Sequence, residues 1–282
     1  MDGILLVNKP KDYTSRDVVN KLTKIFNTKK IGHTGTLDPI AEGVLVITIG
    51  KYTKLCDLLT STYKEYIATI KLGIKTDTLD ITGNILEEKE SNLTKEEIIK
   101  VLNSFKGKSL QEVPIYSAVK VNGKKLYEYA RNNELVELPK REIDIKEIKL
   151  ISFNKDEITF KTTVSKGTYI RSLIRDICTK LNTIGTMSSL IRTKQGKFNI
   201  EDCYTLEDIN NDNYKLLTAE EVLNDIESID INEELLNKIN NGAIINKTFK
   251  NEIAALKYKN KIIAIYQTYY KDNKKAKPYI KL

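Results

Sequence analysis

Apolar positions recur along this chain at two different spacings. From Tyr66 they alternate through Ala68, Ile70 and Leu72, the period of a strand with one buried face. Gly3–Val7 and Val44–Ile49 are short, nearly unbroken apolar runs that read as strands, and residues 157–164 read as extended. Elsewhere the spacing is three and four. Val18, Val19, Leu22, Ile25 and Phe26 share one helical face, with Ser15 placed to cap it. Thr94 and Glu97 form a capping box ahead of Ile98, Ile99, Val101, Leu102 and Phe105. After a break at Gly167, a third helix turns Ile170, Leu173, Ile174, Ile177 and Leu181 inward. Strands and helices mix without strict β-α-β alternation, so the expected class is α+β, a mainly antiparallel sheet flanked by helices.

Residues 205–230 read as a partly helical connector, with a second capping box at Thr218 and Glu221. Beyond it the chain becomes short strands separated by Gly, Asn and Lys turns, of which Ile262–Tyr266 is the clearest. The expected division is therefore 1–225 and 226–282. So short a C-terminal segment has little core of its own and is expected to pack on the main body.

Charge adds a candidate partner. The 282 residues carry a net charge of +8. Residues 201–230 hold ten acids and one lysine, net −9, and residues 231–282 are net +7, which leaves +10 for residues 1–200. Two basic blocks around an acidic connector suit two lobes that both face a polyanion. Lysine-rich surfaces also keep proteins soluble, and charge alone leaves both readings open. No apolar run is long enough to span a bilayer, and no basic segment precedes an apolar core at the N-terminus; a cytoplasmic protein without membrane contact is expected. Three scattered cysteines argue against a disulfide framework and against a zinc site. With His33 as the single histidine, a multi-histidine metal centre is excluded, and catalysis falls to carboxylate, Lys, Arg, Tyr or backbone groups.

The densest signal lies between Gly32 and Gly43. Three glycines in twelve residues, with Asp38-Pro39 between them, mark an irregular backbone that holds polar side chains in place. The Gly-Lys-Ser/Thr ending of a phosphate-binding loop is missing. As a bare pattern, Asp38-Pro39 is equally an ordinary turn initiator.

The segment Gly32-His33-Thr34-Gly35-Thr36-Leu37-Asp38-Pro39, followed by Gly43-Val44-Leu45, closely resembles the catalytic motif of the TruB family, the bacterial tRNA pseudouridine-55 synthases. Further matching blocks follow in order: Gly3–Pro10 with Thr14-Ser15, Lys64-Glu65-Tyr66, Thr76–Gly83, Tyr116–Arg131, Ser165–Arg171 and Leu190–Phe198. The resemblance runs through residues 3–198. Residues 231–282 are similar, by position, size and charge, to the small RNA-binding β-barrel (the PUA domain) that ends these synthases.

The resemblance implies an enzyme that flips a uridine out of the T-loop at the tRNA elbow and remakes its glycosidic bond from nitrogen to carbon. It makes Asp38 the catalytic carboxylate and Arg171 the cation that keeps it ionised. Tyr66 becomes the platform on which the base stacks. Tyr169 and Leu190 would line the same pocket, His33 would stack on or hydrogen-bond to the RNA, and Lys9 would lie near the site. A local structural role for His33 and a turn role for Lys9 stay open. No cofactor, metal or guide RNA is implied, and a monomer is expected. Departures from the family pattern are Asn8, Lys11-Asp12 and Glu42. Glu42 matters most, because a second carboxylate pointing at Asp38 would oppose its ionisation. A guide-dependent synthase, a non-catalytic RNA-binding protein and a carboxylate glycosidase are the rival readings.

Overall fold

A computed structural model describes residues 1–282. Its main sheet runs in the order Gly3–Lys9, Glu42–Ile49, Gly185–Gln195, Lys64–Leu72, Glu157–Val164, Lys140–Phe153 and Gly107–Glu112. Every neighbouring pair is antiparallel except one. Glu42–Ile49 meets Gly185–Gln195 in parallel, through only Ile191 beside Glu42 and Arg192 beside Gly43. The sheet thus has two halves joined by a short seam. At that seam the φ of Gly43 is +101°, and a Cβ there would lie 2.3 Å from the Arg192 carbonyl oxygen, so only glycine lets the strands close.

Burial explains the two sequence patterns. In Lys64–Leu72 alternate residues are buried, as the spacing from Tyr66 predicts, and Glu157–Val164 behaves in the same way. The unbroken runs are covered on both faces. Ile4, Leu6, Val44 and Val46 join one core, whereas Leu5, Val7, Leu45, Ile47 and Ile49 join another beneath the Ser15–Ile25 helix. The helix Ile170–Lys180 buries Ile170, Leu173, Ile174 and Ile177 in the core of the other half-sheet. The capping boxes at Thr94 and Thr218 both form.

One cap is misassigned by sequence. Thr14, not Ser15, caps the first helix, in a reciprocal box with Asp17. Ser15 is one residue further in, and its buried hydroxyl is used elsewhere.

Residues 228–281 hold a five-stranded sheet that includes Ile253–Tyr258, Lys261–Tyr269 and Asp272–Lys281, and also a helix, Glu233–Asn240, capped by Asn232, where the sequence reading expects only short strands and turns. Ala255, Ile262, Ile265 and Ile280 of that sheet share a core with Ile4, Leu6, Val44 and Val46. The C-terminal segment therefore packs on the main body, as its size requires. Around the connector, Glu220 accepts a hydrogen bond from the Ile262 N–H at 2.6 Å.

Candidate active site

The loop between Gly35 and Ala41 is held by its apolar members. Leu37, Ile40 and Ala41 are buried in the core of the larger half-sheet. Burying each of the two larger side chains is worth roughly 1.5–3 kcal/mol, which pins the polar residue between them. The Asp38 carbonyl accepts from the Ala41 N–H at 3.0 Å, closing a turn with Pro39 at its second position. Ser15 adds a clamp that sequence reading missed. Its Oγ accepts from the Leu37 N–H at 2.9 Å and lies 3.3 Å from the Leu37 carbonyl oxygen.

This anchoring turns the Asp38 carboxylate, about one-third exposed, into a cleft of roughly 380 Å³. Arg171 meets it there from the first turn of the 170–180 helix. Arg171 Nη2 donates to Asp38 Oδ1 at 3.0 Å, and Nε lies 2.9 Å from Oδ2. The Nε–H is not aimed at that oxygen, so the second contact is electrostatic rather than a hydrogen bond. A buried guanidinium at a helix N-terminus opposes the helix dipole and needs compensation. It is supplied by Asp38, by the Thr78 and Tyr116 carbonyls, each at 3.1 Å, and by Asp80 at 4.0 Å. Asp80 is itself fixed by Thr78 Oγ1 at 3.0 Å and the Thr82 N–H at 3.0 Å.

Tyr66, Tyr169, Leu190, Asp38 and Arg171 all line this cleft. Tyr66 and Leu190 stand on the same face of adjacent strands, and each is about 95% buried. Tyr169 caps the helix that carries Arg171. Its N–H donates to Gln111 Oε1 at 2.8 Å, and its carbonyl accepts from Gln111 Nε2 at 3.1 Å. One buried side chain on the Gly107–Glu112 strand thus fixes both backbone groups at the start of that helix.

Lys9 and His33 lie outside the cleft lining. Lys9 is fully buried, and its Nζ donates to the carbonyls of Pro10 at 2.8 Å, Tyr13 at 2.5 Å and Pro39 at 3.3 Å. All three N–H groups are engaged, so Lys9 ties the opening turn to the Asp38 loop instead of reaching for a substrate. Burial lowers its pKa to about 8, against the opposing pull of the Glu42 and Asp38 carboxylates. Glu42 is not part of the cleft lining either. His33 Nδ1 accepts a long hydrogen bond from the Gly35 N–H at 3.4 Å. Burial and then the charges of Arg192 and Arg16 push the imidazole pKa down, which favours a neutral ring supporting the loop.

Three further basic residues line the cleft, the exposed Lys166 and the buried Arg192 and Lys64. Arg192 is buried beneath it, donating from Nε to the Val44 carbonyl at 2.6 Å and from Nη2 to Gly35 O at 3.1 Å. Lys64 donates to the Thr60 and Thr62 carbonyls at 2.8 and 2.9 Å. Both fall within blocks that resemble the family, but neither spacing nor periodicity marks them.

The family model of the TruB family pseudouridylate synthase N-terminal domain matches residues 23–170, and that of the tRNA pseudouridylate synthase B C-terminal domain matches residues 171–229. A tRNA pseudouridine synthase B from Clostridium tetani is 44% identical over 271 residues, spanning 95% of this chain and 92% of that protein. One from Staphylococcus aureus strain Newman is 44% identical over 298 residues, spanning 98% of each. Among solved structures, a Cbf5-Nop10-Gar1 complex contains a chain that superposes with a TM-score of 0.75 at 23% identity, covering 99% of this chain and 84% of that one, which is a likeness of fold.

Proposed function

We propose a site, a target and a chemical route for this chain, which belongs to the TruB family of pseudouridylate synthases and converts uridine in transfer RNA to pseudouridine. The target is the T-loop uridine, which enters the cleft as a flipped-out base because its reacting atoms are inaccessible within a stacked loop. Tyr66 offers an aromatic face for the base, with Leu190 and Tyr169 closing the pocket around it. Asp38 is the reacting carboxylate. The N1–C1′ bond breaks, the detached base turns within the pocket, and a C5–C1′ bond replaces it. C5 gives up its proton and N1 gains one, so the product is an isomer of the substrate. Residues 1–225 carry this chemistry, and 226–282 act as an RNA-binding module.

The observation that carries this reading is the Asp38 carboxylate itself. It remains partly open to the cleft while Arg171 meets it at 2.9 and 3.0 Å. The guanidinium fixes the carboxylate in one orientation at the edge of the cleft, where a reacting group must be held. Lys9 and His33 act from behind the loop, the first by tying it down and the second by supporting its backbone.

The test is pseudouridine formation on an unmodified tRNA transcript. Wild type should convert the T-loop uridine, whereas Asp38→Asn should bind the transcript without converting it. Conversion at a different uridine would overturn the target, and an active Asp38→Asn protein would overturn the route. A wild-type protein that binds tRNA and modifies nothing would favour a pure RNA-binding role.

A further inference from the structure

Positive charge converges on one wall of the cleft without a carboxylate to meet it. Lys64, Lys166 and Arg192 all line that wall. The hydrogen-bond partners of Lys64 and Arg192 are neutral carbonyls, and Lys166 donates to the Ser61 hydroxyl at 3.2 Å. The nearby acid Glu65 is already taken, by Lys161 at 2.9 Å and by the Thr193 hydroxyl at 2.8 Å. Lys64 is 7% exposed and Arg192 1% exposed. Burying cations without a counter-charge is unfavourable, and an anion brought by the substrate would offset that cost.

The backbone marks where it would sit. Gly35 has a φ of +146°, and a Cβ there would come 3.5 Å from Arg192 Nη1 and 3.6 Å from Lys64 Cε. Both cations therefore reach the same bare stretch of backbone, three residues before Asp38. Arg192 spends Nε and Nη2 on carbonyls, which leaves Nη1 for a ligand. Lys64 keeps one of its three N–H groups.

We propose that Lys64, Arg192 and Lys166 form an anion subsite over Gly35 that takes a backbone phosphodiester of the RNA beside the flipped uridine. Arg192 donates from Nη1, Lys64 from its remaining N–H, and Lys166 moves across from Ser61. The subsite rests on the RNA-substrate reading above and adds to it the group by which the strand is held while the base turns. Its charge comes from the ribose–phosphate chain, so it grips without regard to base identity.

The test uses the full chain carrying Asp38→Asn, so that binding is measured without turnover. Affinity for unmodified tRNA transcript is followed across a salt series for Lys64→Met, Lys166→Met and their combination, with Lys155→Met on another surface as control. Each lysine removed should weaken binding severalfold and reduce the slope of log K against log salt by roughly 0.7–0.9. The control should match the parent. Lys166 is exposed, so its variant keeps the test valid even if Lys64→Met folds poorly. Slopes and affinities equal to the control for folded Lys166→Met and Lys64→Met would overturn the subsite. Conversion by the unaltered chain, assayed in parallel, separates the two ideas. Intact conversion with unchanged slopes removes the subsite alone; absent conversion with reduced slopes removes the pseudouridine reading and leaves the subsite.

Discussion

On the wall of the cleft formed by the 170–180 helix, Arg171 faces Asp38 and Asp80, whereas on the wall formed by Lys64 and Arg192 the cations face only carbonyl oxygens. On the first wall the cation already has carboxylate partners before any substrate arrives, and its hydrogen bonds fix the proposed reacting carboxylate in one place. The second carries surplus charge and spare donors. Preorganised contacts matter where charge changes during a reaction, while unspent charge serves capture of a polyanion. On the proposed reading, chemistry belongs to one wall and grip to the other, and substitutions on each should separate turnover from binding.

The largest effect is expected at Arg171. Arg171→Met leaves Asp38 and Asp80 without their shared cation, and breaking a buried pair typically costs about 3–5 kcal/mol, less here because Asp38 is partly exposed. Single-turnover conversion should fall roughly 10²–10³-fold, the scale for losing one preorganised charged contact, while tRNA affinity changes little. An Arg171→Met protein that keeps its turnover and loses affinity instead would erase the distinction between the walls.

A pH series should act on the other wall. Burial, with Arg192 and Lys166 adding to it, holds the Lys64 ammonium at a pKa of about 8, below its ordinary value. A phosphate beside it would raise that pKa, so RNA binding takes up a proton. Affinity from Lys64 is then fully present below pH 8 and is lost as pH rises through 8 toward the pKa of the bound form, by up to about tenfold per unit. Binding of Asp38→Asn protein between pH 7 and 9.5 measures it. Lys9 titrates near the same pH but is common to both proteins, so a shallower slope in Asp38→Asn/Lys64→Met isolates Lys64. Equal slopes would count against a phosphate contact at Lys64.

How far these walls were legible in the sequence follows from the range of the interactions. Alternation from Tyr66 marks the strand, and spacing marks the helix face of Ile170, Leu173, Ile174 and Ile177, because both are local patterns. Asp38, Arg171 and Tyr66 could be named only by resemblance; as bare residues they are a turn, a helix arginine and a core tyrosine. Serine suits a cap, which makes Ser15 the candidate in the sequence, yet Thr14 with Asp17 caps the helix through a reciprocal pair, and Ser15 serves Leu37 instead. The resemblance puts Lys9 near the site and leaves a turn role open, and its donors, all engaged by backbone carbonyls, fit the turn role. No local pattern marks Gln111 or Arg192, although Arg192 lies in a block that resembles the family, since each acts on backbone distant in the chain and neither side-chain type at its position implies such a partner.

Gln111 offers the finest test of the contrast, because it supports the Arg171 wall without touching either charge. Replacing it by leucine removes both hydrogen bonds to Tyr169 and leaves that residue's N–H and carbonyl to find other partners. An unsatisfied buried backbone group costs about 1–3 kcal/mol, which for a chain of this size lowers the melting midpoint by a few degrees. The same loss loosens the first turn of the helix that presents Arg171, so turnover should fall about three- to tenfold. The Lys64 wall is not attached to this clamp, and the salt slope of binding should stay at its parent value. Gln111→Glu keeps an acceptor for the Tyr169 N–H and should recover part of the turnover, an outcome that general destabilisation would not produce. If Gln111→Leu lowers the salt slope as much as Lys64→Met does, the walls are one mechanical unit and the division of labour between them fails.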